Sequence, residues 1–168
     1  RQRQMCIRDS NIFNKFLYKL KIKEFKSKNI EKKLLRNPNS NKGDYGHVLV
    51  IAGNLGFGGA ALLSSKAVVA SGTGLTTLAT RKDHLSAALS YCPEVMTKTV
   101  ESISDLENHL PNKTVICIGP GLGKNYWADQ MFYKAINFAA KENLPILIDA
   151  DGLNTVSYTH LRAHETNV

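Results

Sequence analysis

The strongest constraint on the fold is an alternation of short, β-branched apolar runs with segments of helical pattern. Runs such as HVLVIAG and TVICIG are apolar and end at glycine, which is typical of buried strands. The segment after the first run starts with small residues and ends beside a glycine, as helices do. The sequence predicts strands at His47–Gly53, Gly74–Thr80, Glu94–Val100 (an edge strand), Thr114–Gly119 and Pro145–Asp149, and helices at Gly58–Gly72, Asp83–Ser90, Ser104–Leu110 and Trp127–Glu142.

This order of elements predicts an α/β fold with a three-layer, doubly wound, mainly parallel sheet. Ser104 and Glu107 are predicted to form the capping box of the third helix. Ligands of doubly wound sheets bind beyond the carboxyl ends of the strands. Three unusual loops follow predicted strands at that edge: GNLGFGGA, GPGLGK and DADGLN.

Each loop has a ligand-binding interpretation and a simpler structural one. GNLGFGGA could bring backbone N–H groups to an anion or could be a tight turn, and Ala61 stands where a dinucleotide fingerprint needs its third glycine. GPGLGK resembles a phosphate loop but lacks the Walker spacing. Asp149 and Asp151 could serve a Mg²⁺ shell, a general base or hydroxyl recognition, or could cap a helix. Three such loops on one edge together favour a ligand site.

Charge is distributed unevenly along the chain. Residues 1–36 carry 12 basic and three acidic side chains, whereas the rest carries 10 basic and 11 acidic ones, so the net charge of +8 lies in the leader. No stacking aromatic pattern accompanies the leader, which favours a solvated linker or edge helix over a nucleic-acid arm. The absence of a long apolar run and of a signal-peptide pattern, together with three widely spaced cysteines, predicts a cytoplasmic protein with reduced thiols and no membrane contact.

Four segments in order carry a resemblance that covers Leu35 to Asn154: NKGDYGHVLVIAGNLGFGGAALLSSKAVVASGTGLTTLAT, PEVM, IGPGLG and PILIDADGLN. They resemble the carbohydrate-kinase-related NAD(P)H-hydrate dehydratase family. The resemblance implies a ribokinase-like fold and a lyase that repairs NADH or NADPH hydrated on the nicotinamide ring. It also implies ADP or ATP as phosphate donor, Mg²⁺, and dehydration of the S-epimer of the hydrate.

The resemblance also implies roles for individual positions. Ala60, with Gly59 beside it, and Gly121, with Gly123 beside it, match positions that contact the hydrated nucleotide. Asp149, Asp151 and Asn154 match an acidic loop that lines the cleft. Lys42, Gly43 and Gly46 match the opening loop, and Glu94 with Met96 is interpreted as site wall. The family motifs T-P-H-P-G-E and G-T-G-D, with the catalytic base, do not occur here, so no catalytic residue and no metal ligand is assigned.

The two ends do not continue the pattern of their neighbours. QMCIRDS and VSYTHLRAHET resemble translated sequencing-adapter sequence. We expect artefactual tails at 1–10 and 156–168, a basic linker or the end of an upstream epimerase module at 11–36, and the truncated N-terminal part of a dehydratase domain at 37–155. On this interpretation the fragment is inactive alone, an epimerase is fused or separate, and the full-length protein is a homo-oligomer. The alternatives are a non-catalytic nucleotide-binding Rossmann-like module and a related small-molecule kinase.

Overall fold

A computed structural model describes residues 36–155 of the chain. The predicted tails at 1–10 and 156–168, and the leader as far as residue 35, lie outside these described residues. None of the helices between residues 36 and 155 is long and apolar enough to cross a membrane.

Five strands form one sheet in which every neighbouring pair is parallel, in the order β3-β2-β1-β4-β5. The chain starts at the centre, builds outward through β2 and β3, and then crosses back to add β4 and β5 on the other side. This reversal confirms the predicted doubly wound sheet and its edge strand. The strands are β1 His47–Ile51, β2 Leu75–Thr80, β3 Met96–Thr99, β4 Val115–Ile118 and β5 Ile146–Ile148.

Helices cover both faces of the sheet, which gives the three predicted layers. Alternate residues of a strand point to opposite faces, so Leu49 and Ile51 join one core cluster while Val50 joins the other. The first cluster includes apolar residues of α3 and α4, and the second those of α1 and α2. The helices are α1 Gly58–Ala70, α2 Leu85–Tyr91, α3 Ile103–Glu107 and α4 Tyr126–Glu142, with 3₁₀ turns at Lys42–Tyr45 and Lys82–His84 and helical residues at 151–155.

The predicted capping box of the third helix is wrong by two residues. Ser102, not Ser104, caps α3: its hydroxyl accepts a hydrogen bond from Asp105 N at 3.2 Å, and Asp105 Oδ2 accepts one from Ser102 N at 2.9 Å. The Asp105 carboxylate also accepts a bond from Glu101 N at 3.0 Å, which ties the cap to the end of the preceding strand. Leu106 is fully buried, so the register that buries it decides between the two overlapping capping patterns.

These hydrogen bonds hold the pKa of Asp105 below its usual value, chiefly through the bond from the Glu101 backbone and then through Ser102. A carboxyl group with a lowered folded-state pKa stabilises the fold above its unfolded pKa and loses that contribution as the pH falls through the folded value. The cap of α3 is therefore sensitive to acid.

The corrected cap gives a direct test with a built-in control. Ser102→Ala should lower the free energy of unfolding by about 1 kcal/mol, because an orphan N–H of α3 loses its acceptor. Ser104→Ala, on the exposed side of the same helix, should change it by less than about 0.5 kcal/mol. Urea unfolding at neutral pH measures both variants. A larger loss in Ser104→Ala than in Ser102→Ala would restore the original capping assignment.

Candidate functional site

Three loops meet at the carboxyl edge of the sheet, where β1, β4 and β5 end side by side. They are the loops predicted from the sequence, at residues 52–57, 119–125 and 149–151. β1 and β4 are neighbours in the sheet although β2 and β3 lie between them in the chain, so the first two loops flank the topological switch point. This is the place at which doubly wound sheets bind their ligands.

The first two loops are bonded to each other through their backbones. Asn54 N donates to Gly121 O at 2.7 Å, and Gly53 N donates to Pro120 O at 3.1 Å. Gly121 has a φ of 60°, and a Cβ there would lie 2.7 Å from Phe57 O and 2.9 Å from Ala60 Cβ. Only glycine fits so close an approach. The structure therefore brings Ala60 and Gly121, two positions predicted to contact substrate, next to each other.

Gly59 lies beside them in the first turn of α1 and leaves an open surface. It is exposed, and a Cβ built on it would meet no atom within 4 Å. Phe57 at the start of the helix makes no side-chain capping bond. The N-terminal turn of α1 therefore presents small residues and backbone to solvent at the mouth of the site.

The second and third loops are joined by a carboxylate. Gly123 N donates to Asp151 Oδ2 at 3.0 Å, and Asn154 Nδ2 donates to Asp151 Oδ1 at 3.2 Å. Both oxygens of Asp151 thus have donors, and Asp151 begins the helical residues 151–155. The three predicted residues Gly123, Asp151 and Asn154 form one connected group.

Asp149 is placed differently from Asp151. Its side chain is exposed, while its backbone continues the β4–β5 contact through a bond from Asp149 N to Ile118 O at 3.1 Å. Gly119 passes so close that a Cβ there would lie 1.8 Å from Asp149 O, which excludes every other residue at position 119. Burial, with the nearby Asp149 charge as a smaller cause, raises the pKa of the Cys117 thiol to about 11. Cys117 is therefore a protonated, unreactive thiol at neutral pH.

Asn54 is the residue of the site that the sequence interpretation missed. Its side chain is 3% exposed and makes three hydrogen bonds, to Leu122 O at 2.9 Å, to Asn125 Oδ1 at 2.8 Å and from Leu55 N at 2.9 Å. A buried asparagine inside a glycine-rich turn is the signal that could have identified it, because a buried amide needs partners for all its polar atoms.

Other predicted positions lie away from these loops. Glu94 and Met96 are at the amino-terminal end of β3, where Glu94 accepts a hydrogen bond from Cys92 Sγ at 3.3 Å. The opening loop with Lys42, Gly43 and Gly46 precedes β1 and also lies at the amino edge of the sheet. Neither group joins the site formed by the three loops.

The carboxylates of the site do not form a metal centre. Among residues 36–155, no group of three or more His, Cys, Asp or Glu side chains could hold a metal ion. Asp151 uses both oxygens for hydrogen bonds within the chain. Residues 36–155 thus offer no complete set of protein ligands for Mg²⁺, an ion that is usually held by one or two carboxylates together with nucleotide phosphates.

The close approach at Gly121 predicts a difference between two glycines of the site. Gly121→Ala should lower the free energy of unfolding by at least about 1–2 kcal/mol, because alanine is strained at positive φ and its Cβ would meet Phe57 O. Gly59→Ala has open space and a helical backbone, so it should be neutral or stabilising by up to about 1 kcal/mol. Urea unfolding compares them, and equal stabilities would contradict the close approach of the two loops.

Comparison with known proteins identifies relatives along most of the described chain. The profile of the family described as NAD(P)H-hydrate dehydratase matches residues 48–168. The chain is 41% identical over 122 residues to the bifunctional NAD(P)H-hydrate repair enzyme Nnr of Coxiella burnetii, covering 73% of this chain and 24% of the relative. It is 39% identical over 118 residues to the ADP-dependent (S)-NAD(P)H-hydrate dehydratase of Listeria monocytogenes, covering 70% of this chain and 42% of the relative.

Solved structures share the fold. A ribokinase-like superfamily protein from Enterococcus faecalis superposes with a TM-score of 0.73 at 31% identity, over 80% of this chain and 48% of the other. An ADP/ATP-dependent NAD(P)H-hydrate dehydratase from Bacillus subtilis, co-crystallised with ATP/Mg²⁺, superposes with a TM-score of 0.59 at 26% identity, over 71% and 42%. The chain spans less than half the length of these relatives, and its sheet confirms the predicted ribokinase-like fold. The profile match over most of the chain shows that it belongs to the NAD(P)H-hydrate dehydratase family.

Proposed function

We propose that this chain acts in nicotinamide-nucleotide repair and forms the substrate-binding part of an ADP- or ATP-dependent NAD(P)H-hydrate dehydratase. The substrate is the S-epimer of hydrated NADH or NADPH. Family membership supports this proposal, as do relatives whose names carry that activity in Listeria monocytogenes and Streptococcus pneumoniae.

The observation that carries the proposal is the junction of Ala60 and Gly121 at the switch point. Two loops from separate parts of the chain meet there, and the exposed side chain of Phe57 borders the junction. Gly59 adds an open surface at the same place. A surface of glycine, alanine and backbone beside an exposed aromatic ring suits a flat, partly saturated ring that must lie close to the protein.

The reaction places a clear demand on such a site. Hydroxide is a poor leaving group, so transfer of a phosphoryl group from ADP or ATP to the ring hydroxyl converts it to a phosphate ester. The C–O bond then breaks, phosphate leaves with the bonding electrons, and the lone pair of the ring nitrogen stabilises the cation. Loss of a proton from the neighbouring ring carbon restores the double bond of the dihydronicotinamide.

In this reaction the described residues hold and orient the substrate. The Ala60–Gly121 surface fixes the ring, which lowers the entropy cost of reaching the reactive geometry. Asp151 and Asn154 stiffen the neighbouring loop through the bond to Gly123. Because the described carboxylates do not fit a metal shell, no step is assigned to Mg²⁺ or to a general base of residues 36–155.

Three further parts of the proposal concern the surroundings of the enzyme. The Coxiella burnetii and Escherichia coli relatives are named bifunctional repair enzymes, which supports a fused or separate epimerase as partner. We further propose a cytoplasmic enzyme, in line with the reduced thiols predicted from the sequence. We also propose Mg²⁺ together with the donor nucleotide, because the Bacillus subtilis relative was co-crystallised with ATP/Mg²⁺. A homo-oligomer of the full-length protein is proposed from the family resemblance alone.

Binding of hydrated NADH by the chain tests the proposed function. Titration of the ¹⁵N-labelled 168-residue chain should shift the amide signals of Gly59, Ala60, Gly121 and Gly123, and NADH itself should bind more weakly. Gly59→Leu should reduce the affinity at least about tenfold, which corresponds to about 1.4 kcal/mol, because its side chain fills the open surface.

The matched control is Ala67→Leu, a comparable increase in size on the exposed part of the same helix. It should leave the affinity within about twofold of wild type, since it lies more than two turns from Gly59. Equal binding of NADH and hydrated NADH would instead favour a general nucleotide-binding module. An affinity unaffected by Gly59→Leu would place the ligand elsewhere.

A further inference from the structure

A single peptide unit connects all three loops of the site. The carbonyl of Leu122 accepts a hydrogen bond from Asn54 Nδ2 at 2.9 Å, and the N–H of Gly123, in the same peptide plane, donates to Asp151 Oδ2 at 3.0 Å. Asn54 belongs to the loop after β1, the peptide to the loop after β4, and Asp151 to the segment after β5. The orientation of this plane therefore depends on one partner from each side.

The side chain of Asn54 has no spare hydrogen-bonding group for another task. Its Nδ2 donates both to Leu122 O and to Asn125 Oδ1, and its Oδ1 accepts from Leu55 N. Asn125 in turn caps α4 by accepting from Ala128 N at 3.0 Å. Since every polar atom has a partner and the residue is buried, Asn54 is held in one orientation.

The backbone of Asn54 reinforces the same arrangement. Its N–H donates to Gly121 O at 2.7 Å, and its carbonyl accepts from Phe57 N at 2.9 Å and contacts His84 Nε2 at 2.9 Å. With both ends fixed, Asn54 sets the separation of Ala60 from Gly121 as well as the tilt of the Leu122–Gly123 peptide. A buried residue that served the core alone would not be expected to connect the three site loops in this way, as Asn54 does through its own bonds and through the Leu122–Gly123 peptide.

We propose that Asn54 is a positioning residue for substrate binding: through the Leu122–Gly123 peptide it fixes the Asp151 carboxylate, and through Gly121 it fixes the surface beside Ala60. The hydrogen bonds to Asn54 and Asp151 polarise the peptide in the same direction, so each strengthens the other. The role in substrate binding rests on the proposed function, whereas the mechanical link between Asn54 and Asp151 does not.

Asn54→Asp breaks this link with almost no change in shape. The carboxylate can still accept from Leu55 N, but it repels Leu122 O and Asn125 Oδ1, to which the amide donated. Burial and this repulsion raise the pKa of the new carboxyl group. The loss of the link to the Leu122–Gly123 peptide is therefore complete above the raised pKa of the new carboxyl group. It becomes smaller as the pH falls below that pKa, because the protonated acid donates one hydrogen bond.

Other ionisable residues near position 54 also bear on measurements made at different pH values. His84 Nε2 contacts the Asn54 carbonyl at 2.9 Å. Asp151 faces the Asn54 side chain across the peptide, and Lys124 follows Gly123 in the sequence. Wild-type chain measured over the same pH range removes their contribution from the comparison.

The test measures hydrogen exchange of the Gly123 amide in the ligand-free chain, corrected for intrinsic exchange, and the affinity for hydrated NADH between pH 5 and 8. In Asn54→Asp at pH 8, we expect Gly123 protection and affinity each to fall at least about tenfold, about 1.4 kcal/mol, and both to rise again towards pH 5, in part only, because the protonated acid replaces one of the two lost donors. Asn108→Asp, the same change at the exposed end of α3, should behave as wild type. Asn54→Ser, which is uncharged and too short to reach Leu122 O, should lose protection at every pH and serves if Asn54→Asp does not fold.

The outcomes separate the inference from the proposed function. Gly123 protection that stays at the wild-type level in both Asn54 variants overturns the inference. Lost protection with unchanged affinity for hydrated NADH also overturns it, because the link would then not serve binding. If the wild-type chain does not bind hydrated NADH while Gly123 responds to Asn54 as expected, the proposed function fails and the mechanical link stands.

Discussion

The parallel pairing of β1 with β4 is the constraint on which the rest of the structure depends. The two strands are separated in sequence by β2, β3 and three helices, yet Val48–Ile51 pairs in register with Val115–Ile118. Because the chain reverses its direction of growth there, the loops after β1 and β4 lead to helices on opposite faces of the sheet. The gap left between those helices gives Ala60 room to meet Gly121 across the sheet edge.

Hydrogen bonds then fix the relative positions of the three site loops, which the apolar core does not determine. The core clusters set the positions of the strands and helices, but of the three site loops only Ala52 and Leu122 belong to those clusters. Their relative positions are determined by the backbone bonds of Gly53 and Asn54 and by the side chains of Asn54 and Asp151. Each of these hydrogen bonds contributes only modestly to stability. The close packing of backbone at Gly119 and Gly121 restricts the positions of the loops further.

The sequence was sufficient for the fold because its signals were local and repeated. Apolar runs marked β1, β4 and β5, and threonine-rich segments marked β2 and the edge strand β3. Small differences of boundary do not change which strands pair. The capping box was misplaced because Ser102–Asp105 and Ser104–Glu107 fit the same pattern, and the first is favoured in the folded protein by the burial of Leu106 and by the bond from Glu101 N to Asp105. That selection depends on tertiary packing, which a local motif does not contain.

The site was predictable to a smaller extent. Glycines and acids at strand ends pointed to the correct edge, and the resemblance named Ala60, Gly121 and Asp151, which the structure brings into one group. Their roles in binding remain a proposal. Asn54 was not predicted because its importance lies in partners 68 and 71 positions away, Leu122 and Asn125. Glu94 and Met96 were predicted to line the site because they stand in a conspicuous motif, but they lie at the amino-terminal end of β3, away from the three site loops.

The most direct test of the central claim is a crystal structure of the chain with hydrated NADH bound. We expect the hydrated ring within about 4 Å of Ala60 Cβ and of the Gly121 backbone, the range of direct van der Waals contact. The Leu122–Gly123 peptide should keep its bonds to Asn54 and Asp151 in that complex. A ring bound at the amino edge of the sheet, near the Lys42–Tyr45 turn, would contradict it.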